Sequence, residues 1–170
     1  MAMTLVSTVV VGTNNPTSIE WTNIPQTGKD LLVLVSARAT NFNANITFNN
    51  SATGYGYRDL FGDGSLPSTG YGSAMSYLFV TSMYEPKDFN GTNNTINYFG
   101  NSSMYIPNYA GSQAKLIGLE TAMEFNSAEC YTALVHGSWS GTSAIDSIQL
   151  KVSASGTFTQ YSSASLYIIS

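Results

Sequence analysis

Along almost the whole chain apolar and polar residues alternate one by one, and the apolar positions favour Val, Ile, Tyr, Phe and Trp. A period of two puts every second side chain on one face of an extended strand, whereas helical apolar positions recur every three to four residues. Eleven strands are predicted, at 4–11, 18–22, 31–40, 46–49, 55–61, 74–84, 102–106, 115–125, 130–139, 144–153 and 158–169. Turn-forming clusters separate them, among them 12–16, 25–28, 62–72, 90–94 and 107–111. The run Leu31-Leu32-Val33-Leu34-Val35 is apolar at every position and is expected to be a strand buried on both faces. Gly54-Tyr55-Gly56-Tyr57 and Gly70-Tyr71-Gly72 are expected to frame a long hairpin, and residues 84–101 an exposed loop. Short strands at this spacing predict an all-β fold, a two-sheet antiparallel β-sandwich of the jelly-roll kind. With no shift of composition along 170 residues, one domain over 1–170 is expected.

Such a chain must stay in solution, and it does so with few charges. Six Lys or Arg and ten Asp or Glu make 9% of the sequence, against about 25% in ordinary domains. Ser (23), Thr (18) and Asn (15) supply the polar surface instead. Six scattered cations exclude a phosphate-neutralising nucleic-acid binder and a polybasic membrane surface. The longest aliphatic run, Leu31 to Val35, is far short of the roughly 20 residues of a membrane helix. The N-terminal Met1-Ala2-Met3-Thr4 has no basic region, so no secretion signal is expected and synthesis is expected in the cytoplasm. Cys130 is the single cysteine and forms no internal disulfide.

The inventory for catalysis is small. A Cys/His pair would have to use Cys130 and His136. Six residues apart on one predicted strand, they are separated by roughly 20 Å. No Gly-x-Ser-x-Gly elbow supports a serine triad on His136, and one imidazole and one thiol are too few for zinc. Asp59 with Asp63-Gly64 resembles part of a calcium loop, but Phe61 stands at its middle position. Glu120 and Glu124, on one strand face, lie roughly 13 Å apart, beyond the roughly 5 to 9.5 Å of a glycosidase pair. A two-residue turn at Asn126-Ser127 would instead bring Glu124 opposite Glu129. That is the one carboxylate pair compatible with glycan hydrolysis. Tyr55, Tyr57 and Tyr71 are candidates for contact with a sugar or a protein partner, because tyrosine packs its ring while offering a hydroxyl.

Several ordered segments resemble a group of small virion structural proteins of tailed bacteriophages, with the likeness running over nearly the whole chain. They include Ser18-Ile19-Glu20-Trp21-Thr22-Asn23-Ile24-Pro25 and Asp30-Leu31-Leu32-Val33-Leu34-Val35-Ser36-Ala37-Arg38. The most diagnostic are Tyr55-Gly56-Tyr57-Arg58-Asp59-Leu60-Phe61-Gly62-Asp63-Gly64 and Met104-Tyr105-Ile106-Pro107-Asn108-Tyr109-Ala110-Gly111-Ser112. Gly137-Ser138-Trp139-Ser140-Gly141-Thr142 and Tyr161-Ser162-Ser163-Ala164-Ser165-Leu166-Tyr167 complete the set. The resemblance implies a non-enzymatic protein of the virion, a capsid decoration subunit or a tail- or fibre-associated one. It would act by assembly with its own copies and with capsid or tail proteins, without cofactor or metal. A homotrimer is expected by analogy with other viral sandwiches. The alternative is a carbohydrate-binding module for host-surface glycan, with Tyr55, Tyr57 and Tyr71 as stacking groups.

Overall fold

Most of the alternating segments form strands in the computed structural model, which describes residues 2–40, 44–62, 67–80, 99–124 and 130–170, with Glu124 and Cys130 described by backbone alone. The strands are β1 (Met3–Val10), β2 (Ser18–Trp21), β3 (Asp30–Ala37), β4 (Ala44–Phe48), β5 (Tyr55–Gly62) and β6 (Pro67–Met75). They continue with β7 (Leu78–Val80), β8 (Gly100–Ile106), β9 (Lys115–Glu124), β10 (Cys130–Trp139), β11 (Ile148–Val152) and β12 (Ser163–Ile169). Among the described residues no helix is long and apolar enough to cross a membrane.

The strands form two antiparallel sheets, one of eight in the order β1-β12-β3-β8-β9-β10-β5-β6 and one of four in the order β2-β11-β4-β7. Their facing sides share one apolar cluster, so the molecule is a β-sandwich. Leu31, Val33 and Val35 of β3 and Ile117 and Leu119 of β9 point into it from the large sheet, and Ile46, Phe48, Ile148 and Leu150 from the small one. An aromatic corner joins the layers, with the Phe48 ring 5.6 Å from Trp139 and 6.0 Å from Tyr55. At Gly137 the sheets approach so closely that an added Cβ would stand 2.5 Å from Leu78. Asparagine serves the tight turns: Asn49 and Asn50 both have positive φ, and the Ser51 N–H closes their turn on the Phe48 carbonyl.

Several strand expectations change, and two predicted strands shorten: 144–153 to β11 and 158–169 to β12, because the Ile145 N–H bonds to the Tyr109 carbonyl in a loop and Phe158 makes only an isolated bridge to Ala39. Among the described residues twelve strands form where eleven are predicted along the chain, because Pro67–Met75, most of it inside the expected turn cluster 62–72, pairs with β5 as the second arm of the glycine-framed hairpin. What reads as one strand at 74–84 is the end of β6 followed by β7, and residues 81–98, with most of the expected loop, lie outside the described residues. β3 is central in its sheet but covered on one side only. Leu31, Val33 and Val35 face the core, while Leu34 faces outward and is 38% exposed.

Candidate functional site

The three tyrosines singled out from the sequence do not gather. Tyr55 is 1% exposed. Its hydroxyl accepts from the Phe48 N–H at 2.8 Å and donates to the Ser51 carbonyl at 3.3 Å, and its ring stacks on Trp139. Burial holds its pKa above the ordinary value. A ring sealed in the core cannot stack on a sugar, so Tyr55 is a structural residue. Tyr57 shares the inner side of β5 and packs edge-on against Phe79 at 5.7 Å. Only Tyr71 is open, at 74% exposure, with the Arg58 guanidinium 5.2 Å from its ring centroid.

The carboxylate pair is displaced as well. In the β9–β10 ladder Glu124 stands opposite Cys130, one residue out of the register that would set it against Glu129. Glu129 itself lies outside the described residues, as do Asp63 and Gly64 of the partial calcium loop. Cys130 and His136 both belong to β10, and His136 is flanked by Gly118 and Arg58 on the neighbouring strands. Among the described residues no group of three or more His, Cys, Asp or Glu side chains could hold a metal ion.

What the fold does bring to one side is most of the exposed large hydrophobic residues. Every large hydrophobic residue that is exposed among those described, Tyr161 excepted, lies on the outer side of the eight-stranded sheet; Leu5, Leu34, Leu60, Leu116 and Leu134 are among them. Cross-strand register arranges these side chains in rows. One row runs from Leu32 through Tyr105, Gly118, His136 and Arg58 to Tyr71, and the next from Leu34 through Ser103, Glu120 and Leu134 to Leu60. The second row is uneven. Leu34 on β3 and Leu134 on β10 stand as ridges beside a trough of about 410 Å³ whose lining includes Ser103, Glu120, Ala122 and Thr132.

Two polar anchors stiffen one end of this face. Asp30 is buried and accepts hydrogen bonds from the Tyr105 hydroxyl at 2.6 Å and the Asn108 N–H at 2.9 Å. The bond to Asp30 raises the pKa of Tyr105, since it favours the protonated phenol. Beneath the face, Lys115 is buried and its Nζ donates to the carbonyls of Gly111 and Gln113, fixing the turn that precedes β9. Burial lowers its pKa.

Sequence reasoning missed this surface as a site, although its signal was present. In β3 a one-sided strand needs only alternate apolar residues, and the surplus leucines at 32 and 34 are what line the outer side. No family model, curated protein or solved structure matches the chain.

Proposed function

We propose that this chain is a non-enzymatic structural protein of a tailed-bacteriophage virion, a jelly-roll-like sandwich that decorates the capsid or belongs to the tail or fibre apparatus. The observation that carries the assembly part of this reading is the concentration of exposed leucine and tyrosine on one side of the eight-stranded sheet. Exposed apolar side chains gathered on one side, here interleaved with Ser103, Glu120, His136 and Arg58, support a reading of that side as a place where another surface docks. Tyr and Arg, the residues that anchor interfaces, stand together there as Tyr71 and Arg58. The virion part rests on the sequence resemblance. Antibody labelling of intact particles, together with co-sedimentation of the purified protein with capsids and with tails, tests it. Label on heads or tails is expected, and a chain found only free in the lysate would refute the reading.

Host-glycan binding is the second reading, and the exposed ring of Tyr71 is its support. A glycan array should then give binding that is lost in Tyr71→Ala. An array without hits removes it.

A further inference from the structure

We propose that the outer side of the four-stranded sheet carries a binding trough for a neutral saccharide. The class of ligand rests on the host-glycan reading above, but the contact is independent of Tyr71, which lies on the outer side of the other sheet.

In β4 and β11 the residues Ile46, Phe48, Ile148 and Leu150 go into the core, which turns Asn45, Thr47, Gln149 and Lys151 outward. Register sets Gln149 beside Thr47 and Lys151 beside Asn45, so the four side chains share one patch. That patch lies within a trough of about 530 Å³. Tyr77 stands on its β7 side, and the turn 153–155 lies beyond the end of β11. Both walls are stiff. The Tyr77 ring meets Phe79 edge-on at 5.0 Å, and Phe79 meets Tyr57 in the same way at 5.7 Å. Ala154 and Ser155 hold positive φ while the Gly156 N–H closes their turn on the Ser153 carbonyl. Walls fixed in advance lower the ordering cost of binding.

The lining selects the ligand by its chemistry. An apolar molecule would cover amides and hydroxyls without pairing them. A strongly charged polymer meets one charged side chain in the lining, Lys151. A neutral sugar offers hydroxyls that donate and accept at once, and the Asn45 and Gln149 amides and the Thr47 hydroxyl can do the same. The C–H face of a pyranose ring packs on an aromatic side chain, and Tyr77 supplies one. Gln149 is already aimed. Its Nε2 donates to Glu20 at 2.6 Å, and Glu20 also accepts from the Ser18 hydroxyl at 3.0 Å, which leaves the Gln149 side-chain carbonyl to accept from a ligand. Asn45 is half-buried, and its Oδ1 has no hydrogen-bond partner among the described residues. A sugar hydroxyl that turns this amide toward the trough pairs it. From Thr17, before β2, to Tyr77, before β7, the trough crosses three strand spacings, roughly 14 Å. That length suits a short oligosaccharide.

An array of neutral and charged oligosaccharides probed with the full chain, followed by titration calorimetry on the strongest neutral hit, tests the site. Binding of a neutral oligosaccharide is expected. Tyr77→Ala and Gln149→Ala should each raise the dissociation constant about tenfold or more, and Thr47→Trp, which fills the trough, should abolish binding. Tyr71→Ala should keep full affinity. Tyr77 also packs on Phe79, so urea midpoints check that the variants stay folded; Gln149, whose printed partner is the exposed Glu20, carries the test if Tyr77→Ala unfolds. Loss in the trough variants with Tyr71→Ala unaffected supports this site and removes Tyr71 as the contact. Loss in Tyr71→Ala with the trough variants unaffected overturns this site and leaves glycan binding on the other side of the molecule. Binding confined to charged glycans, or indifferent to the trough variants, also overturns it, and an array without hits overturns both.

Discussion

Tyr55 illustrates how one side chain can be read correctly as important and wrongly as a surface group. Flanked by Gly54 and Gly56, it looks in the sequence like a presented ring. The fold instead buries the ring between Phe48 and Trp139 and uses the hydroxyl to satisfy a buried N–H. Tyr55→Phe keeps the ring and orphans that donor, so a loss of about 1–3 kcal/mol is expected in denaturant unfolding. The pH dependence follows from the raised pKa. Between the ordinary value of 10.0 and the raised one, the unfolded chain has lost a proton that the folded chain keeps. The contribution is therefore complete below about pH 10 and is lost as pH climbs through the folded value. Stability of Tyr55→Phe should accordingly fall less steeply with pH above 10 than that of the parent; parallel curves would contradict this assignment.

Among the elements, the glycines separate by what stands opposite them. β10 must pass under β7, and Gly137 is the residue at the contact, with Leu78 side-chain atoms at 2.5 and 2.6 Å from where a Cβ would be. Gly137→Ala is expected to destabilise by about 1–3 kcal/mol through overpacking. Gly118, its near neighbour on β9, has nothing within 4 Å of a Cβ. Gly118→Ala should therefore stabilise by about 0.5–1 kcal/mol, since alanine loses less backbone freedom in a strand. Equal effects from the two substitutions, read as midpoints of urea unfolding, would show that sheet proximity is not what places glycine at 137. β6 shows the limit of element reading. Its Pro, Ser and Gly content resembles a turn, and only pairing with β5 makes it a strand. By contrast the bounds of β10 are legible to the residue, 130–139 in both sequence and structure, because turn-forming residues flank it, even though Ala133-Leu134-Val135 interrupts the alternation.

At the scale of the molecule the shortage of charge bears on the proposed assembly. An interface made of leucine, tyrosine and hydroxyl side chains, with one exposed cation and one exposed anion in its central rows, depends little on ionic screening. Raising salt from about 0.1 M to about 1 M shortens the screening length from about 10 Å to about 3 Å. Self-association measured by light scattering should stay within about threefold across that range. Dissociation by moderate salt would mean that ion pairs hold the copies together. The same property would suit the proposed virion subunit in water of varying salinity.

The sequence by itself determined most of the strands, Pro67–Met75 excepted, the all-β class and the two-sheet sandwich, because alternation and turn chemistry are local: each residue's side is set by its immediate neighbours. It also held the excess of leucine in β3. What only the tertiary structure decided was which side of each strand meets the other sheet. Four strands cannot cover eight, and register then lines up Leu34, Leu134 and Leu60 across the uncovered side while drawing Tyr55 inward and shifting Glu124 onto Cys130. Those are relations between residues tens of positions apart, fixed by pairing and layer packing, and no window of sequence contains them.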